Sequence, residues 1–191
     1  GDEPKWDRIG VVKYPTRKSF TDMQSLPSFQ KSHHHKDAGM ETTIVIGTQP
    51  MPVPEAPEGF ELIDWADVPY PPTADDGPVV VMHVIRFNDA AAAHATPDHM
   101  EQYQTAAGKV ALGHGVRISG WLAVEDTIIG DGRAWHQVRF NEFPSKAAFM
   151  AVVTDPSRLE AQRDHREVAI ADTYALIVRA SLNDLEASID L

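Results

Sequence analysis

The residues of this chain best suited to chemistry are histidines, and three of them stand in a row at His33, His34 and His35. Imidazole titrates near neutral pH, so a histidine can carry a proton or bind a metal. Neighbouring side chains on a helix point in different directions, so three consecutive histidines do not serve one metal. His33 and Asp37 would share a helix face, but a two-histidine, one-carboxylate site needs another histidine. We expect either a solvated helix end or an acid/base or ligand-binding role for His34 or His35.

His83 is a second candidate, because it interrupts the apolar run VVVMHVIRF at residues 79–87. On a strand, its neighbours on the same face are Val81, Ile85 and Phe87, so we expect the ring to be buried. Two interpretations stay open. His83 is either a core histidine whose hydrogen bonds are satisfied or a base facing a cavity.

The segment from Trp135 to Phe143 alternates polar and apolar residues. On a strand, Gln137, Arg139 and Asn141 share one face and Val138 and Phe140 share the other. We predict that the polar face lines an enclosed space and that the apolar face packs under helices. Arg139 and Asn141 there could hold a carboxylate or a developing oxyanion, although a structural ion pair is an equal alternative for the arginine. The bulky residues expected beside this face are Trp135 and Phe143.

Composition excludes several classes of function. The net charge is −11 and the chain has no cluster of Lys and Arg, which argues against nucleic acid and anionic membranes as partners. There are no cysteines, so disulfides and thiolate metal sites are excluded. No apolar run is long enough to span a bilayer, and no secretory signal opens the sequence, so we expect a cytoplasmic location. The sequence also lacks the phosphate-loop, nucleophile-elbow and HExxH motifs.

The chain contains an internal repeat, in which residues 6–28 match residues 135–157 without a gap. Identical pairs include Trp6 with Trp135 and Pro15 with Pro144. The earlier copy predicts a strand over residues 7–14, helices over 16–24 and 27–38, and a strand over 41–48. This is half of the later unit. We therefore expect a further β-α-β segment to precede Gly1 and complete the half unit.

Four segments follow from these patterns. Residues 1–49 form the half unit, and residues 50–78 form a linker that holds eight of the fourteen prolines. Residues 79–180 form a complete β-α-β-β-α-β unit, and residues 181–191 form a tail. A ferredoxin-like unit of this α+β class covers only one face of its sheet with helices. The uncovered face must pack against something, and pairing two such sheets gives a dimeric α/β barrel.

Several segments carry a resemblance to a known superfamily. They are VVVMHVIRF, HQVRFNEFPSKAAFMAVVTDPSRLEAQRDHR and TYALIVRA in the complete unit, and VVKYPTRKSFTDMQSLPSFQKSHHHKDAG in the half unit. The chain resembles the dimeric α/β-barrel superfamily, and within it a small domain-of-unknown-function family. Relatives in that superfamily include haem-dependent enzymes, metal-free monooxygenases, isomerases and polyketide-type cyclases. The resemblance therefore implies a fold and no single reaction.

The function expected from these observations is cofactor-independent acid/base chemistry on a small apolar or aromatic oxygenated molecule. The expected catalytic residues are His83, His34, His35 and Arg139. The expected substrate-binding residues are Asn141, Gln137, Trp135 and Trp121. The alternatives are a haem- or metal-dependent oxidoreductase and a non-catalytic binding or assembly module. The expected partners are a small-molecule ligand and either a second copy of the chain or the missing β-α-β segment.

Overall fold

The structure, a computed structural model, describes residues 6–88 and 95–180. It is of the α+β class. The elements in chain order are α1 Arg17–Gln24, α2 Pro27–Gly39, β1 Val45–Pro50, β2 Val79–Phe87, α3 Asp98–Gly113, β3 Arg117–Ile129, β4 Gln137–Phe143, α4 Lys146–Thr154, α5 Pro156–Ala161, the π-helix Gln162–Arg166, α6 Glu167–Ala169 and β5 Ile170–Val178. Within these described residues, no helix has the length and apolar character needed to cross a membrane.

The five strands form one sheet in the order β1-β3-β4-β2-β5, and every neighbouring pair is antiparallel. The last four strands and the helices between them follow the order β-α-β-β-α-β, with β2 and β4 in the middle. This is the ferredoxin-like arrangement. The predicted fold class is therefore confirmed, while the pairing of two such units into a barrel stays a prediction.

The helices begin where the sequence provides caps. The Thr16 side chain accepts a hydrogen bond from the Ser19 N–H at the start of α1, and Ser145 does the same for Ala148 at the start of α4. Asp155 caps α5, which opens on Pro156. Because Thr16 matches Ser145 in the repeat, the two copies share a helix start.

The first strand predicted for the half unit does not form. Residues 6–15 make an irregular arm, and β1 adds to the outer edge of β3. Val11 and Val12 in this arm are 68% and 70% exposed. Alternating apolar residues give a strand only where a neighbouring edge supplies hydrogen bonds, and the arm pairs with no strand of the described chain. The repeat is thus not confirmed as half of a ferredoxin-like unit.

The pleat of the sheet decides which residues face the helices. Val79 pairs with Phe143 across β2 and β4, and both pack against Val152 of α4. All odd-numbered residues of β2 and β4 consequently face the helices, including Gln137, Arg139 and Asn141. This reverses the prediction, which placed Val138 and Phe140 under the helices.

Val138 and Phe140 lie on the open face of the sheet, within an apolar cluster that the arm also contacts. Phe140 lies directly over Gly120 of β3, its cross-strand neighbour. A Cβ at Gly120 would lie 2.6 Å from Cδ2 of Phe140, so only glycine lets the ring pack this closely. The open face is therefore built from closely packed apolar side chains.

The proline-rich segment has no helix or strand after β1, but it is fastened to the complete unit. The Trp65 indole N–H donates to the Gly115 carbonyl at 2.7 Å, and Val68 is 5% exposed. Gly115 adopts a φ of +75°, which favours glycine. The Asp76 carboxylate accepts hydrogen bonds from the first backbone N–H groups of α4, those of Lys146 and Ala147, and these bonds lower the pKa of Asp76.

Candidate functional site

A row of four residues crosses the sheet on the side that faces the helices. Trp121 of β3 pairs with Arg139 of β4, Arg139 pairs with His83 of β2, and His83 pairs with Ala175 of β5. Directly opposed residues of antiparallel strands have neighbouring side chains. The strand register therefore brings an indole, a guanidinium and an imidazole into one line under the helices.

Arg139 is held in one orientation by two neighbours. Its Nε donates to the Gln137 side-chain oxygen at 3.0 Å, and its Nη2 donates to the same oxygen. The Gln137 amide in turn donates to the Ala95 carbonyl at 3.2 Å. The Trp121 ring centre lies 3.9 Å from the guanidinium carbon of Arg139. Gln137 is 0% exposed and Arg139 is 3% exposed, so water has little part in fixing this geometry.

The charge of Arg139 has no counter-ion among the described residues, none of which forms an ion pair with it. Burial, and after it the neighbouring charge of Arg166, lowers the pKa of Arg139 to about 9. The group is nevertheless protonated at neutral pH. A buried charge without a partner costs several kcal/mol of stability by order of magnitude. Such a group is more typical of a binding site than of a structural core.

His83 lies deep in the protein, yet part of its surface is accessible to water. Its Nδ1 has no hydrogen-bond partner among the described residues. Burial lowers the pKa of His83 to about 3, and the charges of Arg166, Arg139 and Arg158 add to this effect. The ring is therefore neutral at pH 7. It can accept a proton once a negative charge enters and offsets the arginines.

The helices complete the site from above. Arg158 of α5 lies over the Tyr103 ring of α3, with its guanidinium carbon 6.0 Å from the ring centre. Arg166 is largely buried, and this burial lowers its pKa, as does the charge of Arg158. We call Arg139, Arg158 and Arg166, together with the neutral His83, the cationic cluster. No described carboxylate forms an ion pair with these arginines, although the charge of Glu167 raises the pKa of Arg166. The cluster can therefore bind an anion or stabilise a negative charge that develops during a reaction.

The structure brings some of the predicted site residues together and separates others. Four of them lie side by side under the helices, namely His83, Arg139, Gln137 and Trp121. Asn141 lies on the same face of the sheet, two residues after Arg139 in β4. Trp135 lies on the opposite, open face, where its ring packs 5.1 Å from that of Tyr174. It is separated from Arg139 because it precedes β4 and joins the apolar cluster there.

The three consecutive histidines lie on α2, away from this site, and their contacts are within that helix. The His33 Nε2 lies 3.7 Å from the Asp37 carboxylate, and the His34 Nδ1 meets the Lys31 carbonyl. The rings of His34 and His35 lie 3.7 Å apart. The described residues contain no group of three or more His, Asp or Glu side chains placed to hold a metal ion.

Arg158, Arg166 and Tyr103 were not among the site residues predicted from the sequence. The available signal was the presence of Arg158 and Arg166 eight residues apart in a helical segment that also carries apolar residues. On a regular helix, residues eight apart lie about 80° apart and can share a face. The π-helix Gln162–Arg166 changes the spacing, and a π-helix leaves no simple mark in a sequence.

The open face of the sheet carries a separate cleft of about 1520 Å3 between the sheet and the arm. Its floor is apolar and includes Met82, Val84, Leu122 and Leu176. At one end, Tyr174 donates to the Asp131 carboxylate at 3.1 Å. The cleft is large enough for a small molecule, but the Asp131 carboxylate at this end is already hydrogen-bonded within the protein. The cationic cluster is therefore the better candidate for chemistry.

Comparisons with known proteins name no activity. No protein-family model matches the chain, and no curated protein matches it. Among solved structures, it is similar to a protein of unknown function from Rhodopseudomonas palustris, with 25% identity and a TM-score of 0.48 over 56% of this chain and 86% of that chain. A dimeric ferredoxin-like protein of unknown function from Thermobifida fusca shows 20% identity and a TM-score of 0.35 over 55% of this chain and 92% of that chain.

A DABB family protein from Mesorhizobium loti shows 14% identity and a TM-score of 0.37 over 55% of this chain and 97% of that chain. The last two are described as ferredoxin-like, the fold that the sequence predicts, and none of the three descriptions names a reaction. A reaction has to be argued from the site itself.

Proposed function

We propose that this protein is a cofactor-independent enzyme of the acid/base type, which acts on a small oxygenated organic molecule bound beside His83 and Arg139. The observation that carries the proposal is the row formed by Trp121, Arg139 and His83, in which an oriented arginine adjoins a neutral imidazole and has no counter-ion in the described part of the chain. A neutral base next to a fixed positive charge is the arrangement that proton abstraction beside a carbonyl requires.

The reaction class follows from the groups present. A C–H bond next to the carbonyl of the substrate breaks, the proton moves to His83, and the electron pair of that bond moves onto the carbonyl oxygen. Arg139 stabilises the resulting negative charge, while Gln137 keeps the guanidinium in place. Return of the proton from His83 to another carbon gives an isomer of the substrate. No oxidant or reductant is consumed.

The low pKa of His83 sets a condition on this chemistry. A base whose conjugate acid has a pKa of about 3 is weak at neutral pH. The negative charge of a bound substrate or enolate offsets the field of the three arginines and raises the pKa of His83. The proposal therefore expects His83 to be an effective base only when a substrate is bound.

Exchange of carbon-bound hydrogen in D2O tests the proposal without a known substrate. A panel of small carbonyl compounds is incubated with the purified protein in D2O and followed by NMR. We expect deuterium to enter at least one compound next to its carbonyl, and the His83→Gln variant to abolish this. The His33→Gln variant, altered on the exposed α2, is the matched control and should retain the exchange.

Two results would contradict the proposal. One is exchange that persists in the His83→Gln variant, since the proton would then have another acceptor. The other is an intense haem absorption band in the visible spectrum of the purified protein, which would favour the haem-dependent alternative. A protein that binds a panel compound without any exchange would be a binding module.

A further inference from the structure

Two histidines that are far apart in the sequence face each other at the surface. His99 lies in the first turn of α3, and His165 lies in the π-helix Gln162–Arg166. Their Nδ1 atoms are 3.5 Å apart, and their ring centres are 5.8 Å apart. His99 is exposed and His165 is half-buried, so the two rings can be reached from solution. We call these two residues the histidine pair.

The backbone on either side of the histidine pair is held by the protein core. Met100, which follows His99, and Ala169, four residues after His165, belong to one buried cluster together with residues of β2. Met100 is 3% exposed and Ala169 is 6% exposed. Tertiary packing therefore brings the two rings together before any ligand arrives, and a ligand that binds such a prepared arrangement meets a lower entropic cost.

The contact between the two rings is a poor hydrogen bond, because N–H donors in proteins lie about 2.7–3.2 Å from their oxygen acceptors and the separation here is 3.5 Å. His34 and His114 differ from the pair, since the Nδ1 of each meets a backbone carbonyl a few residues earlier in the chain. A nitrogen that donates to a carbonyl carries the proton and cannot bind a metal. In the histidine pair, both Nδ1 lone pairs are available once each ring carries its proton on Nε2.

The distance between the two nitrogens is close to the one that a shared metal ion needs. Zinc binds imidazole nitrogen at about 2.0–2.1 Å with tetrahedral angles, which puts two ligand nitrogens about 3.3–3.4 Å apart. A small rotation of the rings aims both lone pairs at one ion. Imidazole suits zinc, copper and nickel as a ligand. The net charge of −11 also draws cations towards the protein.

We infer that His99 and His165 bind one late first-row transition-metal ion of the zinc class, which joins α3 to the π-helix. Each ring supplies its Nδ1, and water fills the other positions, because no third His, Asp or Glu of the described residues is placed to complete the set. π-helical segments such as the one that carries His165 concentrate at functional sites. The metal site is separate from the proposed function, because neither histidine belongs to the row on the sheet.

A titration of the full chain with zinc chloride, followed by NMR of the imidazole C–H resonances, tests the site. The spectra of His99→Gln and His165→Gln assign the two resonances. We expect both to shift along one binding curve, at a zinc concentration at least about tenfold lower than the one that shifts His114, because two linked ligands bind one ion more tightly than one ligand. Mg2+ should shift neither, because it takes oxygen ligands. Separate curves for the two rings, or a joint curve at the concentration that shifts His114, would overturn the inference.

Removal of one ring tests whether the two rings share an ion. His99→Gln should weaken zinc binding at His165 about tenfold or more, and His165→Gln should do the same at His99. His114→Gln is the matched control at the other end of α3 and should bind zinc like the native chain. Circular dichroism of each variant establishes that it is folded. An unchanged zinc affinity of His165 in a folded His99→Gln variant would show that the rings bind zinc separately.

The outcomes distinguish this inference from the proposed function. If exchange in D2O depends on His83 while zinc binds His99 and His165 no better than His114, the metal site is wrong and the acid/base site stands. If zinc joins the histidine pair while no compound exchanges, the metal site stands and the proposed catalysis is wrong.

Discussion

Two arginines lie on opposite faces of the sheet, Arg133 in the loop before β4 and Arg139 in β4 itself. They differ in whether a carboxylate pairs with their charge. On the open face, Arg133 lies 2.7 Å from the Asp172 carboxylate, also pairs with Asp131, and has its guanidinium 4.6 Å from the ring centres of both Trp135 and Tyr174. On the helix face, Arg139 has an amide and an indole as neighbours and no described carboxylate.

The pKa values of the two arginines move in opposite directions for this reason. Hydrogen bonds to Asp131 and then Asp172 raise the pKa of Arg133, whereas burial lowers the pKa of Arg139 to about 9. A fully paired arginine fixes a structure, here by tying the loop before β4 to β5. An unpaired arginine in the interior is unfavourable until an anion binds, which is why we assign binding to the helix face.

The largest effect on stability is expected from removal of Arg133. The Arg133→Ala variant leaves two neighbouring carboxylates without their shared cation and removes two cation–π contacts. We expect the free energy of unfolding to fall by about 2–3 kcal/mol, measured by urea denaturation at neutral pH. Arg17→Ala is the control, because its ion pair with Asp126 is exposed and such pairs contribute less than about 1 kcal/mol. Equal losses in both variants would remove the distinction between paired and surface arginines.

Acid should destabilise the protein through His83. The folded-state pKa of His83 is about 3, below its ordinary value of 6.5, so the unfolded chain binds the proton more readily. Stability is then fully present above pH 6.5 and is lost as the pH falls from 6.5 towards 3, at about 1.4 kcal/mol per pH unit. Between pH 7 and pH 5, the native chain should lose about 2 kcal/mol more stability than His83→Gln.

Urea denaturation at the two pH values measures this difference directly. His33→Gln, altered on the exposed α2, should lose as much stability as the native chain. If His83→Gln is as sensitive to acid as the native chain, then His83 is not surrounded by uncompensated positive charge, and the contrast between the two faces fails.

Close packing on the open face should give a smaller effect. In the Gly120→Ala variant, the new Cβ meets the Phe140 ring at 2.6 Å, and the ring or the strand must shift. We expect the free energy of unfolding to fall by about 1–2 kcal/mol. Gly108→Ala in α3 is the control, because a Cβ there meets no atom within 4 Å. It should stabilise the helix by up to about 1 kcal/mol. If the Gly120→Ala variant has the same free energy of unfolding as the native chain, the open face is loosely packed.

The sequence allowed the fold class and half of the residues of the candidate site to be predicted, for different physical reasons. Helix starts are local, so Thr16, Ser145 and Pro156 could be recognised from neighbouring residues. Neighbouring residues do not decide which side chains of β4 lie under the helices. Gln137, Arg139 and Asn141 lie under the helices because Phe143 pairs with Val79, and an alternating pattern in one strand does not say which face is covered.

The remaining differences have similar causes. The strand predicted over residues 7–14 needed a partner edge that the described chain does not supply. Arg166 ends the π-helix Gln162–Arg166, whose turn differs from that of an α-helix and leaves no simple mark in the sequence. His83 and Arg139 were nevertheless both among the predicted catalytic residues. They are unusual residue types at strand positions that burial usually fills with apolar side chains, and such exceptions are where functional sites tend to lie.

The smallest effect on stability, and the one that bears most on the comparison, is expected from Arg139. Although this side chain is 3% exposed, we expect Arg139→Met to change the free energy of unfolding by less than about 1 kcal/mol. Removing the uncompensated charge is favourable, while the loss of the hydrogen bonds to Gln137 is unfavourable, and the two are of similar size. The exchange of carbon-bound hydrogen in D2O should nevertheless be lost, because Arg139 no longer stabilises the negative charge on the carbonyl oxygen. Urea denaturation and NMR on the same sample measure both quantities. A loss of 3 kcal/mol or so would mean that Arg139 is satisfied in the free protein like Arg133, and that the helix face holds a structural arginine instead of a binding site.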